Sequence, residues 1–202
     1  HIYRMDPAQM VRQHIESGAA VTVAALRVPI EQADQFGVIE TAADGQTIKA
    51  FHEKPKDAVG LADAPHQVYA SMGNYVFDAQ ALVEQVTKDS DAEDTMHDMS
   101  GDIMPAFAAR GEASVYDFKD NEVPGAEPRD RNYWRDVGTL DSYYDAHIDL
   151  ISVEPIFNLY NLDWPILTSY PPYPPAKFVH RKPGRTGMSI ESMVCPGVIV
   201  SG

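Results

Sequence analysis

The sequence holds a single cysteine, Cys195, in 202 residues. One thiol excludes an internal disulfide and a cysteine-based zinc cluster, and a reducing, cytoplasmic setting is the simplest compartment for it. No apolar run approaches the roughly 18–20 residues of a membrane span, and the opening residues do not read as a basic-then-apolar leader. Positive charge is scarce: 16 Lys and Arg stand against 30 Asp and Glu, a net charge of −14. A surface this acidic argues against a nucleic-acid partner, which needs a basic face for phosphates. It equally disfavours adhesion to an anionic membrane. A G-x-S-x-G elbow, an H-E-x-x-H helix and a Walker-type phosphate loop are all missing, so the sequence offers no convincing covalent nucleophile.

The hydrophobic fraction, 44%, is ordinary for a globular chain and can fill a sizeable core. The length fits one large domain or one and a half smaller ones. Asp6-Pro7 ahead of Met10, Val11, His14 and Ile15 predicts a helix with an Asp N-cap, a Pro in its first turn and Gly18 at its end. Val21 to Val28 is apolar and β-branched, as in a strand buried on both faces. Phe36–Ile39 and Ile48–His52 read as strands flanking the turn Asp44-Gly45, and Tyr69–Phe77 as another. Asp78 caps a helix through about Val86. Asp89 to Asp102 holds six acids and no base, the pattern of a solvated loop. A helix near 103–110, a strand at 114–118 and a helix at 140–152 complete an alternation that predicts an α/β layer sandwich. Beyond 152, prolines at 155, 165, 171, 172, 174 and 175 predict a semi-rigid linker. The last 15 residues space short apolar pairs as a hexapeptide β-helix does in its opening turns.

Several residues can carry chemistry. Glu53-Lys54-Pro55 follows a strand, and Pro55 favours an extended Lys54 that ends it. Ligands of open α/β sheets sit at strand carboxyl ends, where a Lys meets phosphate and a Glu accepts sugar hydroxyls. A charge pair there is worth about 1 kcal/mol in water and about 4 at an effective dielectric near 20, so enclosure decides its value; a plain surface ion pair is the alternative. Trp134-Arg135-Asp136-Val137-Gly138-Thr139 precedes a helix. Asp136 can hold a hard cation such as Mg²⁺ or simply cap that helix. His97-Asp98 suggests acid–base work only weakly. Lys177 to Arg185 carries four cations and no acid, which leaves 12 Lys and Arg against the same 30 acids elsewhere. That island is either a solvated loop or a pocket for a small phosphorylated molecule.

In their order along the chain, HIYRMD, PIEQADQFGVIE, FHEKP, ASMGNYVF, HDMSGDIMP, YWRDVGTLDSYYDAHIDL, WPILTSYPPYPPAKFV and the hexapeptide-like tail resemble bacterial glucose-1-phosphate adenylyltransferase (ADP-glucose pyrophosphorylase) over essentially all 202 residues. FGVIE, EKP and WRDVGTL are shared with related sugar nucleotidylyltransferases. The resemblance implies the carboxy-terminal half of a Rossmann-like nucleotidyltransferase domain over 1–152, an interdomain linker over 153–187 and the start of a left-handed β-helix over 188–202. It implies transfer of AMP from ATP to α-D-glucose 1-phosphate, giving ADP-glucose and pyrophosphate for glycogen synthesis in the cytoplasm. It further implies Mg²⁺ as cofactor, a homotetramer, and tuning by sugar-phosphate, carboxylate or nucleotide effectors. By motif, Gly37 lets backbone approach the sugar, Glu53 accepts its hydroxyls, Lys54 pairs with its phosphate and Ser71 hydrogen-bonds it. Asp136 is one of two Asp ligands for Mg²⁺, Trp134 shapes the pocket, and Asp98 lies near the site without a firm role. Lys177, Arg181, Lys182 and Arg185 fall at the family's effector junction.

The family's Gly-rich G-G-x-G-[ST]-R-L loop is not in this sequence, nor is the partner Asp expected directly before H-I-Y, nor most of the β-helix. Both ends therefore read as cut, and the 202 residues alone are expected to be inactive. Two alternatives stay open: a UTP- or dTTP-dependent sugar nucleotidylyltransferase, and a non-catalytic sugar-phosphate-binding regulatory subunit.

Overall fold

The computed structural model describes all residues, His1–Gly202. In chain order its elements begin β1 (Ile2–Tyr3), α1 (Pro7–Ser17), β2 (Val21–Pro29), β3 (Gly37–Thr41), β4 (Ile48–Glu53), β5 (Gln67–Phe77), α2 (Ala79–Ser90), α3 (Met104–Ala109) and β6 (Ala113–Asp117). Then follow β7 (Trp134–Arg135), α4 (Leu140–Leu150), β8 (Lys177–Val179), β9 (Arg181–Lys182), β10 (Arg185–Thr186) and β11 (Ile199–Ser201). The chain divides by compactness into Met5–Glu122 and a second unit of His1–Arg4 with Val123–Gly202. No helix is long and apolar enough to cross a membrane.

The unit Met5–Glu122 is a five-stranded sheet in the order β4-β3-β5-β2-β6. Only β2 and β6 run parallel; β2–β5, β5–β3 and β3–β4 are antiparallel. The rule that places ligands at strand carboxyl ends belongs to parallel sheets, so it does not locate Glu53-Lys54, which end an antiparallel edge strand. β2 is buried on both faces, as its unbroken apolar run predicts. On one face Val21, Val23 and Ala25 pack with Ile39, Ile48, Tyr69, Val115 and, from the α3 region, Met104 and Phe107. On the other, Val28 packs with Ala33, Val38, Val68 and Ala70. The β3–β4 turn folds back on β6, where Val115 N–H donates to the Gln46 carbonyl at 2.8 Å and Thr47 bridges Ser114. Both outer edges of the sheet are thereby partly covered.

Helix ends follow their caps. The Asp6 side chain accepts from Ala8 N–H, Pro7 opens α1, and Gly18 closes it at φ 64. Of its apolar residues only Met10 is buried, while Val11 and Ile15 face solvent. Asp78 caps α2 as expected, but the helix reaches Ser90. The acidic stretch 89–102 is a solvated loop only between α2 and Met99, where residues 91–98 hold no helix or strand and are mostly exposed. Asp89 lies inside α2, is buried, and meets His97 Nδ1 at 2.9 Å. Asp98 accepts from Ser100 and Gly101 N–H, and Asp102 from Met96 and Asp98 N–H, which fixes a π-helical turn at Met99–Ile103.

In the other unit β1 and β7 form a two-stranded antiparallel ladder. Thr139 and Ser142 make a capping box at α4, so Asp136 is not that helix's cap. Asp149 accepts from Ile156 and Phe157 N–H just beyond the helix. The Pro-rich stretch carries no helix, yet its last residues hold strands: β9 and β10 form a hairpin around Pro183-Gly184, with Gly184 at φ 76. β8 pairs in parallel with β11, Ile199 opposite Lys177.

One polar knot ties the sheet together. Buried Asp117 accepts from Arg27 Nε at 2.7 Å, Tyr69 Oη at 2.9 Å and Lys119 Nζ at 3.1 Å, while Arg27 Nη1 reaches the exposed Asp63 at 2.8 Å. Breaking a buried pair strands a charge, which costs about 3–5 kcal/mol, whereas an exposed pair is worth about 0–1. Asp117→Ala is therefore expected to lower unfolding free energy by several-fold more than Asp63→Ala in urea titrations. Burial, then the negative charge of Asp117, pushes the Tyr69 phenol up to about 12 from 10.0. The unfolded chain ionises this tyrosine first, so the stability it contributes is complete below pH 10 and is lost between pH 10 and about 12. Tyr69→Phe is expected to flatten that alkaline limb in denaturation series run at increasing pH.

Candidate active site

Strand register, not proximity in sequence, assembles the first group of residues. In the unit Met5–Glu122, Gly37 of β3 lies opposite Glu53 of β4. β3 meets β5 at Val38–Ala70, and one step along that register sets Gly37 beside Ser71. Ser71 is opposite Ala25 of β2, and Ala25 opposite Asp117 of β6. Directly opposed residues project to the same face. Glu53, Gly37 and Ser71 thus form one row across three strands, on the face that also carries Ile39 and Tyr69.

A side chain at Gly37 would be crowded by its neighbours on β4. A Cβ there would lie 3.0 Å from Phe51 Cε1 and 3.3 Å from Glu53 Oε2. Bare backbone beside a carboxylate leaves room for a polar ligand to lie against the sheet. Glu53 Oε1 is 3.5 Å from Lys54 Nζ, and both side chains are more than half exposed. An exposed pair of this kind stabilises little and leaves both charges available to a ligand. Ser71 Oγ accepts from Gly73 N–H at 3.2 Å, which leaves its hydroxyl hydrogen free to donate.

Lys54 corrects one expectation. Its φ is 47, in the left-handed region, where Pro55 was expected to keep it extended. Its N–H still donates to the Phe36 carbonyl at 3.0 Å, so the ladder runs one residue past β4 before the chain turns. Proline disfavours the right-handed helical region most strongly for its predecessor, and the left-handed turn satisfies that restriction while ending the strand. A non-glycine residue held there is strained, a feature found at binding loops. The exposed Asp98 carboxylate accepts from Ser100 and Gly101 N–H and caps the π-helical turn.

Trp134 and Asp136 belong to the other unit. The β1–β7 ladder pairs Ile2 with Arg135 and Tyr3 with Trp134, so His1 comes opposite Asp136. The imidazole Nδ1 is 3.2 Å from Asp136 Oδ1, and the ring stacks on the Trp134 indole with centroids 4.7 Å apart and planes 27° from parallel. A Cβ on Gly138 would lie 3.2 Å from Asp136 Oδ2, so the glycine of WRDVG makes space for this carboxylate. The role of His1 escaped the sequence reading because its partner lies 135 positions away and two-residue strands have no periodicity to find. No three His, Cys, Asp or Glu side chains are grouped to hold a metal ion. Lys177, Arg181, Lys182 and Arg185 are exposed on β8, β9 and β10, and none of the four forms an ion pair with a carboxylate.

Residues 1–152 match the family model described as nucleotidyl transferase, and residues 174–202 match that of the GlmU-like C-terminal hexapeptide. The chain is 57% identical over 202 residues to the glucose-1-phosphate adenylyltransferase of Frankia casuarinae, and 60% over 203 to that of Bifidobacterium adolescentis. In both cases all of this chain is covered, with 49% of the relative, so the chain spans about half the length of the curated relatives it matches. The same name belongs to a relative from Arthrobacter sp. (strain FB24), 58% identical over 203 residues and covered to 44%. With three quarters of its length inside the first family model, the chain belongs to the nucleotidyl transferase family.

Proposed function

We propose that the whole protein transfers AMP from ATP to α-D-glucose 1-phosphate, giving ADP-glucose and pyrophosphate for glycogen synthesis. The observation that carries this reading is the row Glu53–Gly37–Ser71, a polar shelf with bare backbone at its centre and an exposed cation, Lys54, weakly paired with Glu53 at its edge. The names of relatives 57–60% identical support it. A sugar-phosphate oxygen attacks the α-phosphorus of ATP, and the bond from that phosphorus to the pyrophosphate oxygen breaks. The nucleophile is the substrate itself, so the protein supplies position and charge, consistent with a sequence lacking a covalent nucleophile.

Glu53 accepts sugar hydroxyls, Ser71 donates to one, Gly37 admits the ring, and Lys54 holds the phosphate. By the same reading Trp134 shapes its own side of the site, and Asp136 would be one ligand of Mg²⁺, which would supply charge neutralisation for the departing pyrophosphate. A single carboxylate is short of the octahedral oxygen set Mg²⁺ takes, so every step assigned to this chain runs through its own side chains. The exposed, unpaired Lys177, Arg181, Lys182 and Arg185 bind a phosphorylated or carboxylate effector. The protein works as a cytoplasmic homotetramer, with divisions at 152/153 and 187/188.

The whole protein is expected to release pyrophosphate from ATP and glucose 1-phosphate at least about tenfold faster than from UTP or dTTP, and the 202-residue chain to release none. Preference for UTP or dTTP, or no turnover by the whole protein, overturns the reading. Gly37→Ala is expected to raise KM for glucose 1-phosphate about tenfold with kcat within about twofold, because the added Cβ displaces the Glu53 carboxylate from a binding contact. Charge reversal at Arg181 and Arg185 is expected to blunt metabolite activation while leaving the unstimulated rate in place.

A further inference from the structure

The connection from β4 to β5, residues 54–66, makes contacts that the proposed chemistry has not used. It leaves the sheet at Lys54, whose N–H extends the ladder to the Phe36 carbonyl, and returns where Ile30 N–H donates to the His66 carbonyl. Between these ends it passes round the end of the sheet. Ala58 packs against the cluster of Val28 and Val68, and Leu61 and Ala64 against the cluster that holds Ile39 and Tyr69. Leu61 and Ala64 therefore lie on the face that presents the row Glu53–Gly37–Ser71, and the connection is a strap beside that row.

The far part of the strap is closed on itself. Leu61 N–H donates to the Gln67 carbonyl at 2.9 Å, Gln67 N–H to the Ala64 carbonyl at 2.9 Å, and Ala64 N–H to the Leu61 carbonyl at 3.1 Å. A Cβ on Gly60 would overlap the Pro65 carbonyl, so this tight fold needs glycine there. The near part is held less. Residues 55–59 make no backbone hydrogen bond, and Lys56, Asp57 and Val59 are exposed. One ion pair ties the strap sideways: Asp63 Oδ2 lies 2.8 Å from Arg27 Nη1. Arg27 is on β2, one strand beyond β5, so Asp63 reaches past the strand that the strap is about to enter. The guanidinium cannot follow the strap, because its Nε donates to Asp117 and its Nη2 to the Tyr69 hydroxyl. Asp63 itself is more than half exposed, so the pair adds little to global stability. Its effect is local, between a fixed guanidinium and a weakly held segment.

We infer that Asp63 is a positioning residue: its pair with Arg27 clips the strap beside the row Glu53–Gly37–Ser71 and thereby sets Lys54, at the strap's base, for the phosphate of the sugar phosphate. This rests on the reading of that row and of Lys54 given above. Lys54 supplies the link. Its backbone stands at φ 47, and a strained conformation persists only where the chain on both sides is fixed. The bond to Phe36 fixes one side and the clipped strap fixes the other. Arg27 thus has two separable tasks, the knot through Asp117 and the strap through Asp63, and replacing Asp63 leaves the knot intact.

The test uses the whole protein carrying Asp63→Ala, Asp63→Glu or Asp63→Lys. Trypsin cuts after the exposed Lys56 and is blocked after Lys54 by Pro55, so the fragment that begins at Asp57, followed by mass spectrometry, reports opening of the strap without any ligand. Asp63→Ala is expected to speed that cut about threefold to fivefold, the shift that one exposed ion pair gives a local equilibrium. KM for glucose 1-phosphate should rise by about the same factor with kcat within about twofold, while the urea midpoint stays at the wild-type value. Asp63→Glu keeps a carboxylate within reach of Arg27 and should restore both; Asp63→Lys repels Arg27 and should exceed Asp63→Ala. Glucose 1-phosphate should slow the cut in the wild type. Wild-type cleavage and KM in Asp63→Ala overturn the inference, as does a rise in KM that tracks a lowered urea midpoint, which marks general structural support. Should glucose 1-phosphate protect the wild-type protein without being turned over, the adenylyl-transfer reading fails by itself, and the cleavage and protection arms still decide what the strap does. Neither protection nor turnover in the wild type overturns both.

Discussion

The antiparallel pairing of β2 with β5 governs the unit Met5–Glu122. β2 lies between β5 and β6 and is apolar on both faces, so it can be shifted only by moving both cores. Its register with β5 sets Ser71 opposite Ala25 and Tyr69 opposite Arg27. A slip of one residue would turn each side chain to the other face, sending Ser71 away from Glu53 and Tyr69 away from Asp117. The register also changes between Val23 and Ala25, where β5 carries extra residues around Gly73 at φ 73.

To hold phosphorylated ligands, as proposed above, an acidic chain has to distribute its few cations with care. Arg27 is fully engaged, with two carboxylates and a phenol around it, and its charge is structural. Arg4 is buried and likewise committed; burial pulls its guanidinium below the ordinary arginine value and Asp130 pushes it back. Lys54 has only an exposed neighbour at 3.5 Å, and the four cations from 177 to 185 have no carboxylate partner. Binding a phosphate therefore displaces water and one weak pair at Lys54, where the same act at Arg27 would dismantle the sheet's polar knot. The net charge of −14 describes the chain's surroundings, not these local sites.

The features legible in the sequence share a local cause. Asp6, Pro7 and Gly18 bracket α1, and Val21 to Val28 forms a doubly buried strand, because caps and apolar runs act through neighbouring residues. The row of Gly37, Glu53 and Ser71 was readable as motifs but not as a row, since register joins positions up to 34 apart. Asp89 reads as one more acid in a charged run, and its burial against His97 depends on a turn that only the folded chain defines. Val11 and Ile15 match a buried helical stripe and face solvent instead. Lys54 shows how a sound local rule can select the wrong basin: proline restricts its predecessor, but the continuing ladder bond to Phe36 decides which permitted conformation is used.

The ladder of β1 with β7 poses a harder energetic question, because two residues per strand supply too little pairing to hold themselves. Its stability has to come from elsewhere, and Arg4 is the evident source. The guanidinium makes one hydrogen bond and one ring contact in a buried setting, while its Asp130 partner stands at 3.9 Å, beyond direct hydrogen bonding. Desolvating a charge with incomplete pairing is unfavourable by several kcal/mol, a poor choice if anchoring β1 were only a matter of stability. A leucine over Phe157 would anchor the strand as well by burial alone. What leucine cannot do is fix the strand's position along its axis, since apolar contacts tolerate sliding and a donor aimed at the Asn158 carbonyl does not. The two-residue ladder then translates that fixed position into the alignment of His1 with Asp136. A directional and costly contact at one end of the strand is the physical condition for a precise one at the other.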